Sequence, residues 1–311
     1  MPKPLTASRG AAAAYAMLAV VMALWAGNSI VGRAVREVIP PFTLAFVRWG
    51  GALLVLSPFA LRRVIAERRE ILAAWRPILL LGVLGVACFN AFLYSGLRHT
   101  TASNALLLQA AIPALVLLFN RAVFRTRPGW MAVIGVTLSM AGVVLIVLRG
   151  DLGALGSTSL NLGDLLVLGG VLCWAAYTAL LRLRPALHPL SFLTATFVIG
   201  VIAMGPLAAG EWMQGERIQW TPQALLAIAY VAVLPSVVAY SLFNAAVARL
   251  GAGPAGHAIN LMPVFGALLA TALLGERLHA YHYVGMALVL VGLAVPVLAV
   301  RCYTGPVRRK A

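Results

Sequence analysis

Ten runs of about 20 predominantly apolar residues, joined by short polar connections, govern what this 311-residue chain can fold into. They fall at 12–33, 41–60, 77–97, 101–124, 129–148, 162–182, 190–210, 223–248, 254–274 and 280–300. At about 1.5 Å per residue, each is long enough to cross about 30 Å of hydrocarbon as a helix. In that medium a backbone N–H or C=O finds no water, so a spanning segment must satisfy its own hydrogen bonds or join a closed barrel. Barrel strands alternate over about ten residues. These runs are continuous and twice that length, which selects helices. The first run follows Lys3 and Arg9 much as a secretory signal would. It is long enough to span and nine more runs follow, so it reads as an uncleaved first helix.

Composition agrees. Hydrophobic residues make up 62% of the chain and charged residues 10%, against about 25% charged in soluble domains. Neither a water-exposed globule nor a disordered chain can be built from these numbers. Lys+Arg minus Asp+Glu is 24 − 8 = +16. In a soluble protein that excess would point to nucleic acid. Here the basic residues sit at the ends of apolar runs, so the partner expected is the lipid bilayer and not nucleic acid. Seventeen Lys and Arg fall on the side carrying the N-terminus, six on the other, and Arg48 lies within a run. The positive-inside rule then places both termini in the cytoplasm, with the chain multi-pass in the cell (inner) membrane. The longest connections, around 61–76 and 149–161, leave no room for a soluble domain. Three cysteines give no disulfide framework and no metal spacing is present, so no cofactor is expected.

The chain repeats itself at a shift of about 150 residues. Pro113 falls on Pro263, Gly135 and Gly142 on Gly285 and Gly292, and Asn90 and Tyr94 on Tyr240 and Asn244, the same two types exchanged. A shift of 149 brings Trp25 and Asn28 onto Trp174 and Tyr177, and 148 brings Pro41 and Pro58 onto Pro189 and Pro206. The units are 1–150 and 151–311, each of five helices. Five is odd, so the second unit enters the membrane from the opposite side. The fold class expected is an all-α integral membrane protein of ten transmembrane helices, arranged as two inverted five-helix repeats. Such repeats underlie alternating access in transporters and also occur in some channels.

Each unit resembles the EamA module of the drug/metabolite transporter superfamily. The first carries Thr100-Thr101-Ala102-Ser103-Asn104-Ala105, then Pro113 and a Gly-spaced fifth helix. The second carries Gly253-Pro254-Ala255-Gly256, then Pro263, then Gly275-Glu276-Arg277-Leu278. Arg125-Thr126 stands where the first unit would have Gly-Glu, which favours a local helix-end contact for Glu276 over a role in transport. Within the superfamily the chain is most similar to the YddG-type amino-acid exporters. The resemblance implies small-molecule transport, in the export direction.

Polar side chains in hydrocarbon are costly and face a bundle interior or a cavity. The candidates for a substrate-binding cavity are Trp25, Asn28, Asn90, Tyr94, Gln109, Trp174, Tyr177, Tyr240, Asn244, His257 and Asn260. Amides bind a carboxylate or an ammonium, and aromatic faces accept a cation or stack on a ring. The alternative for each is an interhelical hydrogen bond. Arg48 either binds a substrate carboxylate or snorkels to the outer interface. No acidic residue falls at a helix centre, and His279 and His282 read as interface residues. Pro113, Pro235 and Pro263 interrupt runs and are candidate hinges or static kinks. The function expected is secondary transport of small neutral or zwitterionic metabolites, amino acids including aromatic ones, by a monomer or homodimer. The alternatives are a carrier of another small metabolite or drug-like compound, a channel, or a membrane-embedded enzyme.

Overall fold

The computed structural model describes residues 5–109, 111–125, 129–148, 150, 161–250 and 258–303. His257, Thr126, the 253–256 segment, and the side chains of Pro113, Asn244, Asn260 and Pro263 lie outside the described residues. The described elements are all helical, with no strand among them. In order they are α1 (Leu5–Ala34), α2 (Pro41–Ala66), α3 (Arg68–Ala73), α4 (Trp75–Gly82), a π-turn (Val83–Cys88), α5 (Phe89–His99), α6 (Ala102–Gln109), α7 (Ile112–Phe124) and α8 (Trp130–Val147). There follow α9 (Leu162–Leu180), α10 (Pro189–Met213), α11 (Pro222–Ala232), a second π-turn (Val233–Val238), α12 (Ala239–Leu250), α13 (Met262–Leu274) and α14 (Ala280–Tyr303). Among the described residues, six stretches are long and apolar enough to cross a membrane. The pair α6 and α7, bent by 43°, makes a seventh if taken as one span, and three shorter apolar helices lie in α8, α13 and α14.

The departures from regular helix recur at a spacing of 150 residues. In the first π-turn Phe89 N–H bonds Leu84 O; in the second Ala239 N–H bonds Leu234 O. Each bond reaches back five residues instead of four. Pro235 lies within the second π-turn, where its missing N–H leaves the ladder open. The first π-turn has no proline, so proline is not the common cause. Pro113 and Pro263 fall in the first turns of α7 and α13. A first-turn N–H has no intrahelical partner in any case, so these prolines stand at helix starts, Pro113 directly after the break at which α6 and α7 bend by 43°. Both helices close on a left-handed residue, Arg125 at φ 53° and Gly275 at φ 65°. Glycine adopts that conformation freely, whereas arginine pays about 1 kcal/mol.

Two antiparallel pairs cross between the halves of the chain. In α8 and α14 the contacts are backbone to backbone. A Cβ on Gly142 would lie 2.5 Å from the carbonyl oxygen of Gly285, and Gly292 meets the carbonyl of Gly135 in the same way. Ser139 Oγ donates to Val289 O between them, at 3.3 Å. In α2 and α10, Trp49 packs on Phe197 at 4.6 Å between ring centroids. Each of these helices also sits against a carboxylate from the far end of the other. Glu211, near the end of α10, accepts from the N–H groups of Phe42 and Thr43 and from Thr43 Oγ1. Glu67, just past α2, accepts from His188 N–H at the start of α10. A carboxylate on a helix N-terminus satisfies orphan donors and meets the positive end of the dipole.

Glu276 makes a third such contact, accepting from the N–H groups of Ala102 and Ser103 and from Ser103 Oγ. Glu276 therefore makes a helix-end contact, but on a helix start 174 residues away and not the local one expected. Beside it Asp164 is fully buried and accepts from Thr100 Oγ1 and Asn104 Nδ2. His282 Nδ1 accepts from His279 N–H, which leaves Nε2–H to donate to Asn104 Oδ1 at 2.6 Å. His282 is thus a buried group of the bundle and not the interface residue expected.

Arg125→Gly relieves the left-handed strain and is expected to raise stability by about 1 kcal/mol, seen as a higher Tm in thermal unfolding. The Glu67 carboxyl is held below its ordinary value of 4.5, first by the Ser191 hydroxyl beside it and then by His188 N–H. A depressed carboxyl stabilises the fold above its unfolded value and loses that contribution as pH falls through the folded one. The Tm gap between wild type and Glu67→Gln is therefore expected to be largest near pH 7 and to close in acid below pH 4.5.

Candidate functional site

A small cavity of about 40 Å³ lies where both halves meet, lined by Trp25, Asn28, Arg48, Phe89, Asn90, Leu93, Gln109, Ile112, Trp174, Tyr240, Ile259 and Met262. One wall is polar and centres on Arg48. This residue sits seven positions into α2, about 10 Å from its start. It is only 4% exposed, so it does not snorkel. Its Nε donates to Ser236 Oγ at 2.9 Å. Its Nη1 faces Asn28 Oδ1, Asn90 Oδ1 and Tyr94 OH at 3.0, 2.7 and 3.0 Å. The guanidinium carbon lies 4.4 Å from the ring centroid of Trp49. Tyr94 OH in turn donates to Asn28 Oδ1 at 2.7 Å. One cation thus joins α1, α2, α5 and the second π-turn.

The other wall is aromatic. The Trp25 ring lies 6.4 Å from Trp174, 5.6 Å from Tyr240 and 5.4 Å from Phe243. Phe89 packs on Trp174 at 4.8 Å. Both π-turns serve these walls. Asn90 Nδ2 donates to Val86 O of the first, which holds the amide with its oxygen toward Arg48. Trp25 Nε1 donates to Pro235 O of the second. Ser236 donates to Val231 O, five residues back, and so offers its oxygen to Arg48 Nε. Irregular backbone in a lipid-embedded bundle is affordable where side chains take up the freed groups.

Of the residues singled out in the sequence, Trp25, Asn28, Arg48, Asn90, Gln109, Trp174 and Tyr240 line the cavity. Tyr94 stands just behind the lining, bonded to it through Arg48 and Asn28. Tyr177 is not part of it. Its ring fills the space over Gly85, where a Cβ would lie 2.5 Å from the ring, and it packs among Ile78, Leu81 and Phe192. His257 and the side chains of Asn244 and Asn260 lie outside the described residues. Ser236 went unnoticed in the sequence, although it is the sole polar residue of its π-turn. Phe89 and Leu93 were also missed; each precedes by one position the Asn90 and Tyr94 already on that face.

Comparison with known proteins gives a consistent assignment. The EamA-like transporter family matches at residues 12–148 and 161–298, and the chain belongs to that family. An uncharacterized transporter of Archaeoglobus fulgidus is 30% identical over 285 residues, covering 90% of this chain and 95% of the relative. The uncharacterized inner membrane transporter YedA of Escherichia coli is 24% identical over 291 residues, covering 91% and 90%. The uncharacterized transporter YyaM of Bacillus subtilis is 27% identical over 216 residues, covering 69% and 70%. A solved crystal structure matches with a TM-score of 0.59 at 18% identity, over 94% of this chain and 99% of the other, and supports the fold alone. The chain is therefore a multi-pass membrane transporter rather than an enzyme.

Asn90→Leu removes an acceptor from Arg48 and a donor from Val86 O, and is expected to cost about 1–3 kcal/mol in thermal unfolding. Tyr177→Phe, which removes a hydroxyl with no hydrogen bond among the described residues, is expected to change stability by less than about 0.5 kcal/mol.

Proposed function

We propose that this member of the EamA-like family is a secondary carrier of amino acids, aromatic ones included, that works by alternating access through the central cavity. The observation that carries the reading is the cavity itself. It joins a buried cation and amides on one wall to aromatic rings on the other, and it is built by elements from both matched modules. That combination suits a small molecule with a polar head and an apolar or aromatic tail.

The carrier consists of two five-helix units, 1–150 and 151–311, lying antiparallel. Counting each π-interrupted or broken helix pair as one crossing, and leaving out the six-residue charged α3, this reading has ten spans. Support comes from the α8–α14 pair. If a two-fold axis relates residue i to i + 150, a contact between Gly135 and Gly292 requires one between Gly142 and Gly285, and both occur. The two π-turns obey the same shift. The excess of Lys and Arg on one side orients both termini to the cytoplasm. Pro235, at the second π-turn, is the hinge best placed to reshape the cavity. Export is the direction that the resemblance to amino-acid exporters implies.

In proteoliposomes, labelled phenylalanine and leucine are expected to show saturable uptake and counterflow, with the cargo recovered unchanged. Counterflow separates a carrier from a pore. Failure of every amino acid to move, alongside robust movement of a sugar phosphate, overturns the reading.

A further inference from the structure

The hydrogen-bond tally around Arg48 defines what the cavity lacks. A guanidinium has five N–H donors. Nε and Nη1 are engaged with Ser236, Asn28, Asn90 and Tyr94, while Nη2 meets no acceptor among the described residues. The Asn28 amide is fixed by two donors on its oxygen, so its Nδ2 is the second free donor of the cluster. Every acceptor that the cluster offers is already used by Arg48. What remains toward the cavity are donors alone, on a group that carries a full positive charge.

No counter-ion is at hand. Arg48 is at least nine-tenths buried, the cavity lining contains no Asp or Glu, and Arg48 forms no ion pair among the described residues. A buried charge held only by neutral dipoles is expensive, and a second charge of opposite sign recovers much of that cost. The opposite wall presents ring faces and the Gln109 side chain. Its Nε2 is engaged with Ala105 O and Ser29 Oγ, which leaves Oε1 as a neutral acceptor. A cargo ammonium would meet no negative charge there.

We propose that cargo is recognised by a single carboxylate seated on Arg48 Nη2 and Asn28 Nδ2, and that no positive charge on the cargo is needed. The substrate class is then small carboxylates with an apolar or aromatic tail, of which amino acids are one subset, and cations are refused. This rests on the reading of the cavity as the substrate site.

The test is a binding panel on the purified full-length protein in nanodiscs, by calorimetry. The probes are phenylalanine, 3-phenylpropionate (no ammonium) and phenylalaninamide (no carboxylate). Phenylalanine and phenylpropionate are expected to bind within about tenfold of each other, and the amide at least about 30-fold more weakly. Arg48→Met, close in volume but uncharged, is expected to lose both carboxylates. Equal binding of amide and acid overturns the proposal, as does failure of both carboxylates to bind. If Arg48→Met does not fold, the wild-type panel decides alone. Counterflow of phenylalanine with equal competition by its amide refutes the Arg48 seat and leaves the carrier reading standing. Carboxylate-selective binding without any transport does the reverse.

Discussion

A guanidinium held in hydrocarbon organises this molecule. Arg48 binds Asn28 of α1, Asn90 and Tyr94 of α5 and Ser236 of the second π-turn. Three of these partners come from its own half of the chain and one from the other. Lipid offers no water to replace a lost partner, so each bond constrains the helix that supplies it. In each π-turn a backbone carbonyl takes a side-chain donor, Val86 O from Asn90 in one case and Pro235 O from Trp25 in the other. The side chains so fixed are the ones that line the cavity.

The ends of the helices obey the same rule with the opposite charge. Glu211, Glu67 and Glu276 each place a carboxylate on a helix N-terminus from a distant part of the chain. Two of these contacts are reciprocal, since α2 and α10 each run toward the carboxylate that closes the other. Antiparallel neighbours make this possible, because the start of one helix lies beside the end of its partner. Three of the chain's eight acids lie at these helix ends, and none is among the residues that line the cavity.

Much of this was legible beforehand because lipid simplifies the code. A run of 20 apolar residues has one low-energy backbone, so helices could be read from length alone. Trp25, Asn28, Arg48, Asn90, Gln109, Trp174 and Tyr240 could be found because polarity in hydrocarbon is rare enough to mark an interior face. The shift of 150 residues between the π-turns matches the shift read from Pro113 and Pro263. What escaped notice depended on contacts between distant segments. Asp164 sits in a first helical turn, where depth alone predicts water; Thr100 and Asn104 bury it. Tyr177 shares its helix face with Trp174, yet Gly85 on another helix provides the gap that takes its ring. Neither fact has a signature within its own segment.

The two halves also differ where they are superimposed by the repeat, and the difference gives the cavity a direction. Asn28 matches Tyr177, and the first bonds Arg48 while the second turns into the core. At the shift of 148 that relates Pro41 to Pro189, Arg48 matches Thr196, whose hydroxyl bonds carbonyls of its own helix. Arg48 and the amides Asn28 and Asn90 therefore come from the first half, and the second half adds Trp174 and Tyr240 to an aromatic wall that also holds Trp25 and Phe89. On the proposed carrier reading, a cargo with a carboxylate head and an apolar tail is oriented by this inequality. Its head rests on α1, α2 and α5, and its tail faces α9 and α12. The Arg48–Ser236 bond is then the one link of the cluster that crosses between halves. Relative motion of the halves would strain that link first and leave the head group's seat within the first half intact, so the cargo can stay bound while the walls around it move.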